Sequence, residues 1–423
     1  MKLSREQERA FQSFWLLPAA IVIAAVLAAT ALAEVDRFLG LTEGGSAYQV
    51  AFGGSPEAAR SILSTIAGSM LTLTALVFSI TILVLQLASS QFSPRALRTF
   101  LTDTTSKVTL GVFLATFAFA LTGLRSTSGG TPGQELFVPG LVVTGAFLLV
   151  AVSLGVFLTY IHHTASRIRV SSIISSIHAE TARLIDRVYP ASEEAQRRKA
   201  VEVGETEPDQ IVRAPRAGVL ASVDYDGILR LAEESDSLVA VRPMPGGFVR
   251  KNAELMRVQG HKLDLSEREV ASLFALQEER TMEQDVAYGF RQLVDIAVRA
   301  LSPGTNDPST CVSALDRIFD LLHRLGTRPF PPEQRFDESG HLRLIARLPD
   351  WGSYVNLAFD EIHHYGKDAP PVIGRLEAIM EELAESLPAD RAASLHAPLA
   401  AVRATRRRVS RESATVSAPK GAA

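Results

Sequence analysis

A single cysteine, Cys311, stands in 423 residues. No internal disulfide is open to the chain, and cysteine-based zinc and redox motifs are excluded with it. An excess of positive charge is missing too: 43 Lys+Arg face 46 Asp+Glu, a formal net charge of −3. Nucleic-acid binding in bulk needs a basic face that displaces counterions, so nucleic acid is not an expected partner. The sequence also lacks G-x-S-x-G, G-x-x-x-x-G-K-[ST], H-E-x-x-H and G-x-G-x-x-G. The common nucleophile elbow, phosphate loop, zinc helix and dinucleotide fingerprint are therefore absent. No catalytic residue, metal ligand or cofactor is assigned, and an enzyme is the less expected class.

Long hydrophobic runs are present, and they are concentrated. The chain is 47% hydrophobic and 21% charged, and the apolar residues gather in the first 161 positions. Trp15–Ala33, Ser61–Pro94, Val108–Leu124 and Leu136–Ile161 carry no charged residue. About 20 apolar residues cross a hydrocarbon core, and backbone groups in lipid must bond within their own segment. Four transmembrane helices are predicted, the third being the shortest. Ala31-Leu32-Ala33 resembles a cleavage site, but Glu6 and Glu8 and the length of the apolar run favour a retained anchor. Lys2, Arg5 and Arg9 precede the first span, Arg95, Arg98 and Lys107 follow the second, and Arg167, Arg169, Arg183 and Arg187 follow the fourth. The other loops hold only Arg37 and Arg60, and then Arg125. The positive-inside rule places both termini in the cytoplasm of a multi-pass protein.

From 162 onward charge density rises. Residues 160–188 read as an outward continuation of the fourth helix, and 190–215 as a linker. Gly218–Val223, Ser237–Arg242, Phe248-Val249 and Glu254–Gln259 read as strands around the Pro243–Gly247 turn. Ser266-x-x-Glu269 and Thr281-x-x-Gln284 fit capping boxes, and Asp307-Pro308 fits an N-cap followed by proline at N1. A strand at 341–348 is followed by helices near 351–365, 371–387 and 390–406. The resulting division is a four-helix membrane domain (1–161), a helical extension and linker (162–209), a small β-barrel-like subdomain (210–262), a mainly helical subdomain (263–405) and a disordered basic tail (406–423). The fold class is an α-helical membrane protein with a cytoplasmic α+β domain.

Three stretches carry a resemblance. They are Gln86-Leu87-Ala88-Ser89-Ser90-Gln91-Phe92-Ser93-Pro94-Arg95, then Arg280-Thr281-Met282-Glu283-Gln284-Asp285 with Gly289–Ala297, and Ala300–Pro308. In this order they resemble the bacterial DUF2254 family of predicted membrane proteins, over most of the chain to about residue 390. The resemblance implies four membrane spans, a cytoplasmic domain and no established activity.

In the second span Thr65, Thr72, Ser79 and Gln86 recur every seven residues, with Ser61, Ser69 and Ser90 extending the stripe. Seven residues are close to two helical turns, so these side chains share a face. Such a face either lines a water-filled path in an oligomer or packs helices closely. Pro94, Arg95 and Arg98 form a cytoplasmic gate or a lipid contact. Arg291, Arg299, Asn306 and Asp307 gather near a helix start and suit either an anion site or a ladder with a cap. Ser222, Asp224, Asp226 and Glu233 have the spacing of a calcium loop without its flanking helix. The expected partners are the lipid bilayer and further copies of the chain. The expected role is a channel- or transport-like protein, with a membrane-anchored sensor or scaffold as the alternative.

Overall fold

A computed structural model describes residues 15–38, 54–91, 104–127, 137–167, 169–191, 201 and 207–416. It divides into two compact units, one to Arg169 and one from Val170.

The described residues of the first unit include α1 (Leu16–Phe38), α2 (Pro56–Gln91), α3 (Thr104–Ser126) and α4 (Gly140–Arg167). All four are long and apolar enough to cross a membrane, over Leu16–Phe38, Pro56–Val84, Thr104–Ser126 and Gly140–Thr164. α3 is the most enclosed, with Phe113, Phe119 and Ala120 buried. Ala29 and Ala33 of α1, Leu63 and Ala67 of α2 and Val142, Val143 and Ala146 of α4 complete its core. Small side chains let helix backbones approach where lipid gives no hydrophobic drive. Cross-helix polar pairs pin the bundle. Thr116 and Ser153 hydroxyls meet at 3.0 Å, and Thr81 and Tyr160 at 2.8 Å. At one end Asp36, 1% exposed, accepts hydrogen bonds from Leu141 N at 3.0 and 3.3 Å. A carboxylate from α1 thus caps the first turn of α4.

The second unit is α+β. It opens with α5 (Val170–Val188), separate from α4, which ends at Arg167. The strands are β1 (Gln210–Arg213), β2 (Gly218–Val223), β3 (Leu238–Val241), β4 (Phe248–Val249), β5 (Glu254–Gln259), β6 (Phe274–Gln277), β7 (Gln334–Phe336) and β8 (Leu342–Ala346). The expected barrel does not form among the described residues. Two open sheets stand in its place, ordered β1-β5-β3-β8-β7 and β4-β2-β6. The reason lies in long-range pairing. β2 takes β6 as its second neighbour, and β3 runs parallel to β8 with Val239 opposite Leu344 and Val241 opposite Ala346. Strands from 274–277 and 334–346 therefore draw the 218–259 run apart into two ladders. β1 lies in the stretch expected to be linker; it pairs antiparallel with β5.

Between and after the strands run α6 (Tyr225–Glu234), α7 (Glu267–Leu273), α8 (Val286–Ala300), α9 (Pro308–Gly326), α10 (Trp351–Gly366), α11 (Pro370–Ser386), α12 (Ala389–Ala393) and α13 (His396–Val416). α8 sits centrally, with Phe290, Leu293, Val294 and Ala297 wholly buried. A Cβ at Gly289 would collide with the Thr181 side chain, so glycine lets α5 and α8 meet closely. The basic tail expected from residue 406 is helical to Val416. Arg403 donates to Glu381 at 2.7 Å, Arg406 to Glu377 at 2.7 Å and Arg408 to Asp368 at 3.3 Å. Acidic partners on and beside α11 convert a run of like charge into a docked helix.

Candidate functional site

The seven-spaced residues of α2 fall as one band on the open side of that helix. Thr65, Thr72, Ser79 and Gln86 are all exposed, while Leu63, Ala67, Met70 and Val77 are buried. Each hydroxyl donates to the carbonyl one turn back: Thr65 to Ser61 O at 2.7 Å, Thr72 to Gly68 O at 3.0 Å, and Ser79 to Ala75 O at 2.9 Å. The donors are thereby satisfied within the helix, and the oxygen lone pairs remain available to water or another helix. Ser61, Gly68 and Ser69 widen the band, and a Cβ at Gly68 would meet nothing. Leu76 and Leu83, also exposed, interleave with it. Leu71, Phe78 and Ile82 of α2 are exposed as well, as are Ile23, Leu27, Phe147, Leu148, Leu154 and Leu158 of α1 and α4, large apolar groups suited to lipid; α1 and α4 also expose the Thr30 and Thr159 hydroxyls. Pro94, Arg95 and Arg98 lie outside the described residues.

In the α+β unit the Arg280–Asp285 stretch is a junction. Asp285 Oδ1 accepts from Tyr288 N at 3.1 Å, opening α8, while Oδ2 accepts from Arg280 Nε at 2.6 Å. The Arg280 guanidinium lies 5.3 Å from the centre of the Tyr288 ring. Gly246, at φ +86°, brings the β3–β4 turn so close that a Cβ there would strike Asp285 Oδ2. Glu283 accepts from Ser222 Oγ at 3.0 Å. The Gln284 side chain pairs with the Val223 backbone, accepting at 2.8 Å and donating at 3.2 Å. The expected Thr281-x-x-Gln284 capping box is therefore corrected: the helix starts four residues later, at Asp285, and Gln284 serves β2. By contrast Ser266 and Glu269 form the complete reciprocal box that opens α7.

Arg291 turns towards α10. Its Nη1 and Nη2 donate to Glu361 at 2.5 and 2.7 Å, and its Nε donates to Asp295 at 2.7 Å. The Glu361 contact leads in raising the Arg291 pKa, so this guanidinium stays charged. Asp307 closes the start of α9, accepting from Thr310 N at 3.1 Å, Thr310 Oγ1 at 2.6 Å and Ser309 Oγ at 2.8 Å. These bonds, that of the Thr310 side chain foremost, hold its carboxyl below the ordinary carboxylate pKa. Asn306 precedes it at φ +44°, and Arg299 lies in the last turn of α8. Arg291 and Asp307 thus serve separate helix contacts. Of the calcium-spaced residues, Asp224 caps α6 through Gly227 N at 3.0 Å and Asp226 pairs with Arg335 at 3.0 Å. The buried carboxylate Asp36 escaped the sequence reading, because its partner lies 105 residues away.

A family model described as a predicted membrane protein, DUF2254, matches residues 12–382. An uncharacterised protein of Mycobacterium bovis is 33% identical over 344 residues, covering 79% of this chain and 65% of its own length. Two uncharacterised proteins of Mycobacterium tuberculosis match with the same identity and coverage. The chain thus spans 65% of the length of these curated relatives. No solved structure matches the chain.

Proposed function

The chain belongs to the DUF2254 family of predicted membrane proteins, and we propose that it works as an oligomeric, channel- or transport-like protein of the bacterial inner membrane. Both termini are cytoplasmic in this reading, and the α+β unit is its regulatory domain. Copies meet through α2, whose hydroxyl and amide band faces a shared water-filled path. The carrying observation is that Thr65, Thr72, Ser79 and Gln86 are exposed together on a helix otherwise suited to lipid. Exposed hydroxyls gain little from hydrocarbon, whereas a lumen or a partner helix uses their free lone pairs. A slow drift of a seven-residue band around an α-helix also suits left-handed supercoiling of neighbouring copies.

Flux through liposomes tests this. Thr72→Leu and Ser79→Leu are expected to cut the passage of small ions or solutes about tenfold or more while leaving assembly intact, because each removes lumen polarity. Leu73→Ile and Val77→Ile, off the band, are expected to change little. An assembled protein that passes no ion or small solute would favour the alternative, a membrane-anchored sensor or scaffold.

A further inference from the structure

We propose that the turn and edge strand spanning residues 242–251 dock onto an anionic bilayer surface, giving the α+β unit a second, peripheral contact with the membrane that anchors the chain. This rests on the reading that the α+β unit faces the cytoplasmic leaflet, where anionic lipid is displayed. Phe248 is 70% exposed and Met244 is 40% exposed. Among the described residues from 207 onward, Tyr365 is the only other large hydrophobic side chain as open as Met244.

Phe248 is held in this position by structure. β4 pairs with β2, placing Phe248 opposite Val219, while Val249 points inward and is 4% exposed. Gly246 N donates to Leu220 O at 2.7 Å, Leu220 N to Gly247 O at 2.9 Å, and Gly247 N to Met244 O at 3.1 Å. Gly246, pressed against Asp285, fixes the turn from behind. An apolar tip held rigid in this way loses little entropy on insertion.

The exposed charge along the turn itself has one sign. Arg242, Arg250 and Lys251 are exposed, and no acidic residue lies between Asp236 and Glu254. Arg213 lies beside them, its Nη1 donating to Asn252 O at 3.1 Å, with Glu254 opposite it across the β1–β5 ladder and paired with Arg257. The acid against the turn, Asp285, is buried and neutralised by Arg280 at 2.6 Å, and Glu283 is engaged by Ser222 and by Gln277 of β6, at the opposite edge from β4. Each basic side chain near an anionic surface raises occupancy roughly fivefold. The membrane spans in the same chain keep the local concentration of bilayer high, so a weak contact suffices. Two apolar side chains fall far short of the roughly 800 Å² per partner that a stable protein interface buries, which favours lipid over a protein.

The test uses the full chain carrying Met244→Cys with a nitroxide label, since Cys311 is fully buried and does not compete. Glu233→Cys, at an exposed position of α6, is the water-facing reference. The vesicles are phosphatidylcholine with phosphatidylglycerol in both leaflets, so the outcome does not depend on which side the unit faces. The label at 244 is expected to collide roughly tenfold less with a water-soluble nickel complex than the label at 233, and more with oxygen. Removing phosphatidylglycerol, adding Arg250→Glu with Lys251→Glu, or adding Phe248→Ser is expected to abolish that difference. Equal nickel access at 244 and 233 in the anionic vesicles would overturn the proposal. Protection that persists in detergent without lipid would also overturn it, and would point to a protein contact.

Discussion

Asp307 opens α9 through three hydrogen bonds to the first turn. Its carboxylate takes the N–H of Thr310, and Pro308 supplies a first-turn position that needs no donor. Asp307→Ala is expected to cost about 0.5–2 kcal/mol, read by thermal unfolding of the purified chain. The pH dependence has a defined sign. The folded carboxyl titrates below its unfolded value of roughly 3.9, so the stabilisation is complete above that pH and is lost as pH falls through the lower folded value. The alanine variant should lack this acid-side loss. Such caps are legible because the whole device lies within four residues. Gln284 was misread for the opposite reason: its sequence neighbours suggest a box, but its amide finds the Val223 backbone across the fold.

At the scale of elements, the four apolar helices could be read from the absence of charge over membrane-length runs. Their mutual arrangement could not, because lipid-facing and core-facing apolar residues look alike in sequence. Asp36 shows the difficulty most clearly. It follows an apolar run like any flanking charge, yet it is buried and closes the start of α4. Asp36→Ala is expected to lower stability in detergent by about 0.5–2 kcal/mol, with Asp36→Asn, which keeps an acceptor oxygen, recovering most of it. A melting curve for Asp36→Ala superimposable on the wild type would remove the latch from the account. In the α+β unit the individual strands of 218–259 were legible from alternation and turns. Their distribution over two sheets was not, since it depends on partners at 274–277 and 334–346. The helix reaching Val416 was likewise hidden, because the acids that dock it belong to α11 and to Asp368 ahead of it.

At the scale of the whole molecule, the asymmetry of basic residues around the spans sets the expected topology. A reporter fused after Arg169 should be active only when that side is cytoplasmic, and a cysteine at Ser46 should react with an impermeant reagent from outside. External labelling of a cysteine at Glu202 would reverse that topology.

In the proposed assembly the band on α2 faces water. Cysteines placed singly at Thr65, Thr72 and Ser79 in the assembled protein, and treated in intact membranes with a small charged thiol reagent, test it most directly. Thiolates form readily only where water reaches, and Cys311 is buried and contributes little background. Modification at 72 and 79, together with silence from cysteines at Phe147 and Leu158 on the apolar face of α4, is the predicted result. Silence at 72 and 79 in a correctly assembled protein would contradict the account and leave α2 as a packing surface.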